Sequence, residues 1–189
     1  MEFFAIIKGM IILFGASASG KTEVAKYLAR AHNIKKAITH TTRKMRESEA
    51  NGVDYYFVTK QKFLEMETLG ELVESTFYNG NLYGCSVNEV ADDKCIVVDP
   101  AGLDHFLNLP ESHIMAFYLD CNEELRRQRM ISRGDNPGDI EKRLENDRLC
   151  FDSSVKEKAD VIIQVDGKTV EEIGDFIYSQ YRKMIANPS

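Results

Sequence analysis

The run Met10 to Phe14 is unbroken apolar sequence closed by Gly15, the pattern of a strand buried on both faces. Thr22 to Ala31 follows with Val24, Ala25, Leu28 and Ala29 at helical spacing, so the chain opens as strand, Gly-rich turn, helix. Thr39 to Arg46 is polar and basic, Asn51-Gly52 marks a turn, and Tyr55 to Val58 holds strand-forming residues. Gln61 to Thr68 predicts a short helix stopped near Gly70. Glu71 to Tyr78 and Leu82 to Ser86 flank Asn79-Gly80-Asn81 as a hairpin. Further apolar strands are predicted at Cys95–Val98, ending at Asp99-Pro100, at Ile114–Leu119 and at Val161–Val165. Helices are predicted at Glu123–Ser132, Ile140–Phe151 and Val170–Ile185, with a loop over Arg133–Gly138. Core strands separated by helices imply an α/β fold with a mainly parallel sheet, and Thr39 to Ser86 reads as an inserted, more β-rich lobe.

Composition narrows the class. The chain has 189 residues, 43% of them hydrophobic, enough for a core. Its net charge of -6 argues against a surface that coats nucleic acid, so local basic clusters stand out against the general trend. Cys85, Cys95, Cys121 and Cys150 form no CxxC pair and no zinc spacing, which fits reduced, cytoplasmic thiols. Glu2 stands where a signal peptide would be basic, and no stretch is long enough to span a membrane. The domain is expected to start at Met10, with residues 1–9 an extension of no assigned role. His32, His40, His105 and His113 share no pattern; only His40 lies beside a motif.

Gly15-Ala16-Ser17-Ala18-Ser19-Gly20-Lys21-Thr22 matches the phosphate-loop pattern G-x-x-x-x-G-K-S/T without a mismatch, between a buried strand and an amphipathic helix. Glycines let the backbone curl its N–H groups toward phosphate oxygens, and the helix presents its positive end to the same anion. Lys21 is placed to reach the β- and γ-phosphates of ATP, and the Thr22 hydroxyl to ligate Mg2+.

Thr41-Thr42-Arg43-Lys44-Met45-Arg46, then Asn51-Gly52-Val53-Asp54-Tyr55, then Glu71-Leu72-Val73-Glu74, then Gly80-Asn81-Leu82-Tyr83-Gly84 occur in that order. Arg43 and Arg46 are spaced to converge on one dianionic phosphate, with Tyr55 and Tyr83 as neutral donors. These motifs, with the phosphate loop and an Arg-rich region, resemble guanylate kinase from about Met10 to about Tyr181. The resemblance implies a P-loop kinase core with a parallel sheet flanked by helices, an inserted α+β NMP-binding lobe and a helical lid. Its parts would be a core at 10–36, 91–122 and 154–189, a GMP-binding lobe at 37–90 and a lid at 123–153. It implies phosphorylation of GMP, and of dGMP, by ATP through direct in-line transfer. A carboxylate answers the ring N–H and exocyclic amine of guanine, and Glu74 matches that position. Thr39 takes a base-contacting hydroxyl position, and Asp99 resembles a second acidic reader or a metal-shell residue. The lid arginines matched are Arg129, Arg133 and Arg143, with Arg126 and Arg127 read as a solvated helix face. The sequence departs from the family pattern at Cys85, which takes a substrate-binding, base-contacting position usually held by Ser or Thr, at the single Asp99 where two aspartates are usual, and at Met45 for a proline.

No general base is required, since the acceptor phosphate is already anionic. The partners implied are small nucleotides, with no nucleic acid or membrane, and the chain is expected as a monomer or homodimer. Two other readings stay open on sequence: a P-loop kinase for another phosphate-bearing acceptor, such as a different nucleoside monophosphate or a ribose phosphate, and a non-catalytic protein-binding module of the same fold.

Overall fold

The computed structural model describes residues 7–78, 80–109 and 112–186, with backbone alone for Ile7, Lys8 and Ser112. In chain order the first elements are β1 (Ile7–Phe14), α1 (Lys21–His32), β2 (Lys35–Lys36), β3 (His40–Thr41) and β4 (Tyr56–Phe57). There follow α2 (Lys60–Thr68), β5 (Leu72–Tyr78), β6 (Asn81–Ser86), β7 (Lys94–Val97) and α3 (Pro100–Leu107). The chain continues through β8 (Ser112–Asp120), α4 (Glu123–Ser132), α5 (Pro137–Cys150), the short α6 (Ser153–Lys156), β9 (Val161–Gln164) and α7 (Val170–Ala186).

Five strands form a parallel sheet in the order β2-β7-β1-β8-β9. β1 lies in its centre, and its side chains alternate between two cores as strand geometry requires. Ile11 and Leu13 join Val24 and Leu28 of α1 and Ile177 and Tyr181 of α7 on one face. Met10, Ile12 and Phe14 join Leu103 and Phe106 of α3 and Tyr118 of β8 on the other. Burial on both faces is why β1 reads as a continuous apolar run. Four strands form a second sheet, β4-β3-β6-β5, over residues 40–86. Its hairpin pairs Tyr78 with Asn81; Asn79, expected in that turn, lies outside the described residues.

Three boundaries differ from expectation. β1 starts at Ile7, and Gly9 is fixed to the core: its carbonyl accepts from the Tyr181 hydroxyl at 2.8 Å. Residues 7–9 are therefore sheet, not extension, and residues 1–6 lie outside the described part. α3 was not expected, yet Asp99-Pro100 spells its start: Asp99 caps the Gly102 N–H at 2.8 Å and Pro100 supplies the fixed φ of a first helical residue. The same chemistry, Asn136 then Pro137, starts α5 three residues before Ile140 and shortens the predicted loop.

Gly84 in β6 permits the closest approach in the second sheet. A Cβ there would stand 2.8 Å from Phe63 Cζ and 2.9 Å from the Glu74 carbonyl oxygen. Gly84→Ala is expected to lower unfolding free energy by ~1–3 kcal/mol, the usual cost of overpacking, in a urea denaturation series; unchanged stability would show that this sheet is not packed as described.

Candidate active site

The phosphate loop turns from the C-terminal end of β1 into α1, the position at which open α/β sheets bind ligands. Gly15 has φ +140°, and a Cβ would sit 2.7 Å from the Leu119 carbonyl oxygen, so only glycine suits it. The Ala16 and Ser19 side chains are buried in the loop's support, and Gly20, at φ 104°, sets the entry into α1. The Lys21 ammonium folds under the loop. It donates to the carbonyls of Gly15 and Ala16 at 2.7 and 2.8 Å and to Ser19 Oγ at 3.3 Å. Burial lowers its pKa to about 8, with Arg126 and Arg133 adding to the fall and Asp147 opposing it.

One cleft is lined by Gly15, Ser17, Ala18, Lys21 and Thr22 of this region and by Thr39, Arg43, Arg46, Tyr55, Glu74 and Tyr83 of the second sheet and its loops. Asp99, Arg133 and Arg143 line it too. Arg43 donates Nη1 and Nη2 to the two oxygens of Glu49, at 3.0 and 2.7 Å, and its guanidinium faces the rings of Tyr55 and Phe57. Arg46 Nη1 lies 3.7 Å from the same carboxylate, and its main-chain N–H donates to it at 2.9 Å. Burial pushes the Glu49 carboxyl up, but these donors overcome it and hold the group below its ordinary value. Across the cleft, Arg133 bonds Asp135 through Nε and Nη2 at 2.8 and 2.5 Å, and Arg143 lies 3.5 Å from the same carboxylate. Burial, then Arg43, Arg133 and Arg143, lower the pKa of Arg46, so the two arginine groups share one electrostatic field.

β5 carries Glu74, Thr76 and Tyr78 at alternate positions, which directs all three into the cleft. Glu74 is buried, and its pKa rises to about 8, chiefly by desolvation and then by the charge of Asp99. Asp99 accepts from Thr76 Oγ1 at 2.5 Å with one oxygen while the other caps α3.

Three expected roles change. The Cys85 thiol is wholly buried in the core and does not reach the cleft; its main chain, which faces Glu74 across the β5–β6 pair, only moderates the rise of the Glu74 pKa. Arg129 does not line the cleft but donates to the Ala18 carbonyl at 3.1 Å, bracing the loop from behind. Arg126, expected to be solvated, is 5% exposed and donates to Asp147 at 2.8 Å. Its neighbour Arg127 does pair with a surface carboxylate, Glu141. Glu49, Thr76, Asp135 and Asp147 went unrecognised from sequence. Glu49 lies three residues beyond Arg46 and was within reach of a local reading. Asp147 acts through contacts 130 and 69 residues away and left no local sign.

Known proteins bear on this geometry. The family model of guanylate kinase matches residues 8–180. The chain belongs to the guanylate kinase family. A guanylate kinase of Anaplasma phagocytophilum is 33% identical over 178 residues, covering 89% of this chain and 83% of its own length. The guanylate kinase of Schizosaccharomyces pombe is 32% identical over 155 residues, 77% of each chain. A crystal structure of guanylate kinase from Anaplasma phagocytophilum superposes with a TM-score of 0.74 at 27% identity, over 95% of this chain and 88% of that one. The fold is thus that of guanylate kinases, and no helix among the described residues is long and apolar enough to cross a membrane.

A carboxyl whose folded pKa is raised loses stabilisation as pH climbs from its unfolded value, 4.5, toward about 8. Glu74→Gln removes that loss. In thermal melts the variant is expected to gain on the native protein between pH 5 and pH 8; a constant difference across that range would contradict the burial described for Glu74.

Proposed function

We propose that the protein transfers the γ-phosphoryl group of ATP to GMP, giving ADP and GDP, with dGMP as a second acceptor. The observation that carries this reading is that Glu74, the paired arginines Arg43 and Arg46, and Lys21 of the phosphate loop all line one cleft. One cleft thereby offers a base-edge carboxylate, a phosphate grip and a triphosphate cradle, the set that a monophosphate acceptor and a triphosphate donor need.

The guanine edge lies against Glu74, whose carboxylate accepts from the ring N–H and the exocyclic amine, with Thr39 offering a hydroxyl nearby. A base presenting an acceptor on that edge would leave Glu74 unpaired and desolvated. Arg43 and Arg46 exchange Glu49 for the acceptor's phosphate, and Tyr55 and Tyr83 donate hydroxyl protons to it. Burial pushes the Tyr55 pKa up, which keeps that donor protonated. At the other side the N–H groups from Gly15 to Thr22 cradle the triphosphate, and Lys21 leaves the loop carbonyls for the β- and γ-oxygens. An acceptor phosphate oxygen attacks the γ-phosphorus in line as the bond to the ADP oxygen breaks. Arg133 and Arg143, released from Asp135, meet the charge on the equatorial oxygens and close the cleft to water. No side chain need remove a proton.

The donor set suits Mg2+ held mainly by substrate phosphates: the described residues contain no cluster of three or more His, Cys, Asp or Glu able to hold a metal, and Thr22 lines the cleft beside the loop. Thr22 is the chain's own ligand in this reading. Magnesium, when bound, supplies neutralisation of the β- and γ-oxygens.

A coupled ADP-release assay across acceptors is expected to show turnover with GMP and dGMP, and Glu74→Gln to raise KM for GMP by ~10–100-fold with a smaller change in kcat. Robust turnover with another monophosphate and none with GMP would overturn the base assignment. Lys21→Ala is expected to lower kcat by ~10²–10³-fold. The pH dependence should differ between substrates. Since Glu74 must be ionised to accept, kcat/KM for GMP rises with pH up to about 8. Since Lys21 must be protonated to grip phosphate, kcat/KM for ATP falls above about 8. Parallel profiles for the two substrates would contradict these roles.

A further inference from the structure

Asp147 lies on the lid-side helix α5 and is 1% exposed, yet it receives four donors from three other parts of the chain. Oδ2 accepts from the Ser17 main-chain N–H at 2.9 Å and from Arg126 Nη1 at 2.8 Å. Oδ1 accepts from Ser17 Oγ at 3.1 Å and from the Tyr78 hydroxyl at 2.9 Å. Arg126 comes from α4 and also reaches the Ser17 carbonyl at 3.4 Å. One carboxylate thereby joins the phosphate loop, both helices around Arg133, and the last residue of β5.

A buried ion pair is a poor source of net stability, because desolvation offsets most of the attraction, and its best-attested use is to fix one arrangement among several. The arrangement fixed here has a direction. β5 carries Glu74 four residues before Tyr78, about 13 Å along a strand. Ser17 sits in the phosphate loop two residues after Gly15. Ser17 and Tyr78 both line the cleft, while Asp147 stands behind its wall, out of reach of a ligand. Burial, then the charge and hydrogen bond of Asp147, push the Tyr78 pKa up, so this donor stays protonated throughout the working pH range.

We infer that Asp147 is a positioning residue that couples the two nucleotide sites: filling the cleft along β5 sets Tyr78, and through Asp147 and Ser17 sets the phosphate loop. The inference rests on the assignment of GMP to β5 and of ATP to the loop. Coupling between sites is reciprocal, so a monophosphate on β5 tightens triphosphate binding by the same factor as the reverse. Asp147 touches neither substrate and acts only through Ser17 and Tyr78.

The test is calorimetric. The Kd of a non-hydrolysable ATP analogue is measured with and without saturating GMP in the native protein, in Tyr78→Phe and in Asp147→Asn. The native ratio is expected to be about 5-fold or more, within the usual range of coupling. Tyr78→Phe, which removes one hydroxyl and keeps the ring, should bring the ratio close to 1. Asp147→Asn, which sets an amide N–H₂ against donors, should do the same. A merely structural role would lower the melting temperature and leave the ratio intact. Tyr78→Phe carries the decision even where Asp147→Asn fails to fold. A native ratio of 1, or a Tyr78→Phe ratio equal to the native one, overturns the inference while GMP turnover by the native protein leaves the functional reading standing. Absence of both GMP binding and GMP turnover overturns both.

Discussion

Gathering positive charge in one cleft is the constraint around which this molecule is arranged. Lys21, Arg43, Arg46, Arg133 and Arg143 line a single cleft on a chain whose net charge is -6. At an effective dielectric of about 20, like charges about 4 Å apart repel by about 4 kcal/mol, so such a set needs compensation before any substrate arrives. The chain supplies it locally. Glu49 holds Arg43 and Arg46, Asp135 holds Arg133 and Arg143, and the loop carbonyls hold Lys21. In the proposed reading the carboxylates stand in for phosphates. On that proposal binding is an exchange of anions rather than a first neutralisation.

That arrangement explains how the fold is divided. The sheet centred on β1 fixes the phosphate loop, because Gly15 is pinned against Leu119 and Arg129 braces Ala18. The second sheet carries Glu74 on β5 and Arg43 and Arg46 in the loop after β3, and α4 and α5 bring the remaining arginines. Burial disfavours the charged form of the two groups that the proposed reading brings charged to their substrates. It raises Glu74 and lowers Lys21, both to about 8. In the proposed reading the guanine donors draw the proton off Glu74, and the phosphate oxygens hold the proton on Lys21.

Much of this was legible in the sequence, for identifiable reasons. The phosphate loop, β1 and the hairpin of β5 and β6 show because their signals are local: a glycine pattern, an apolar run, alternation around a turn. The residues gathered in the cleft show because phosphate chemistry limits which side chains can serve. What stayed hidden depends on contacts distant in sequence or on the direction of a side chain. The helix α3 was announced by Asp99-Pro100, but the same two residues also read as the end of a strand. The Cys85 thiol could be placed in the site or in the core only once the register of β6 against β5 was known. Arg126 and Arg127 are adjacent and alike in sequence, yet one is buried on Asp147 and the other lies at the surface with Glu141. A helix of radius close to a few ångström separates those two environments by one residue, which charge pattern alone does not resolve.

The exchange of anions is tested most directly by a crystal structure with GMP and a non-hydrolysable ATP analogue bound together. The account predicts that Arg43 and Arg46 leave Glu49 for the acceptor phosphate, that Arg133 and Arg143 leave Asp135 for the donor's terminal phosphate, and that Lys21 turns from the loop carbonyls to phosphate oxygens. Both nucleotides bound with the Glu49 and Asp135 pairs intact would contradict it.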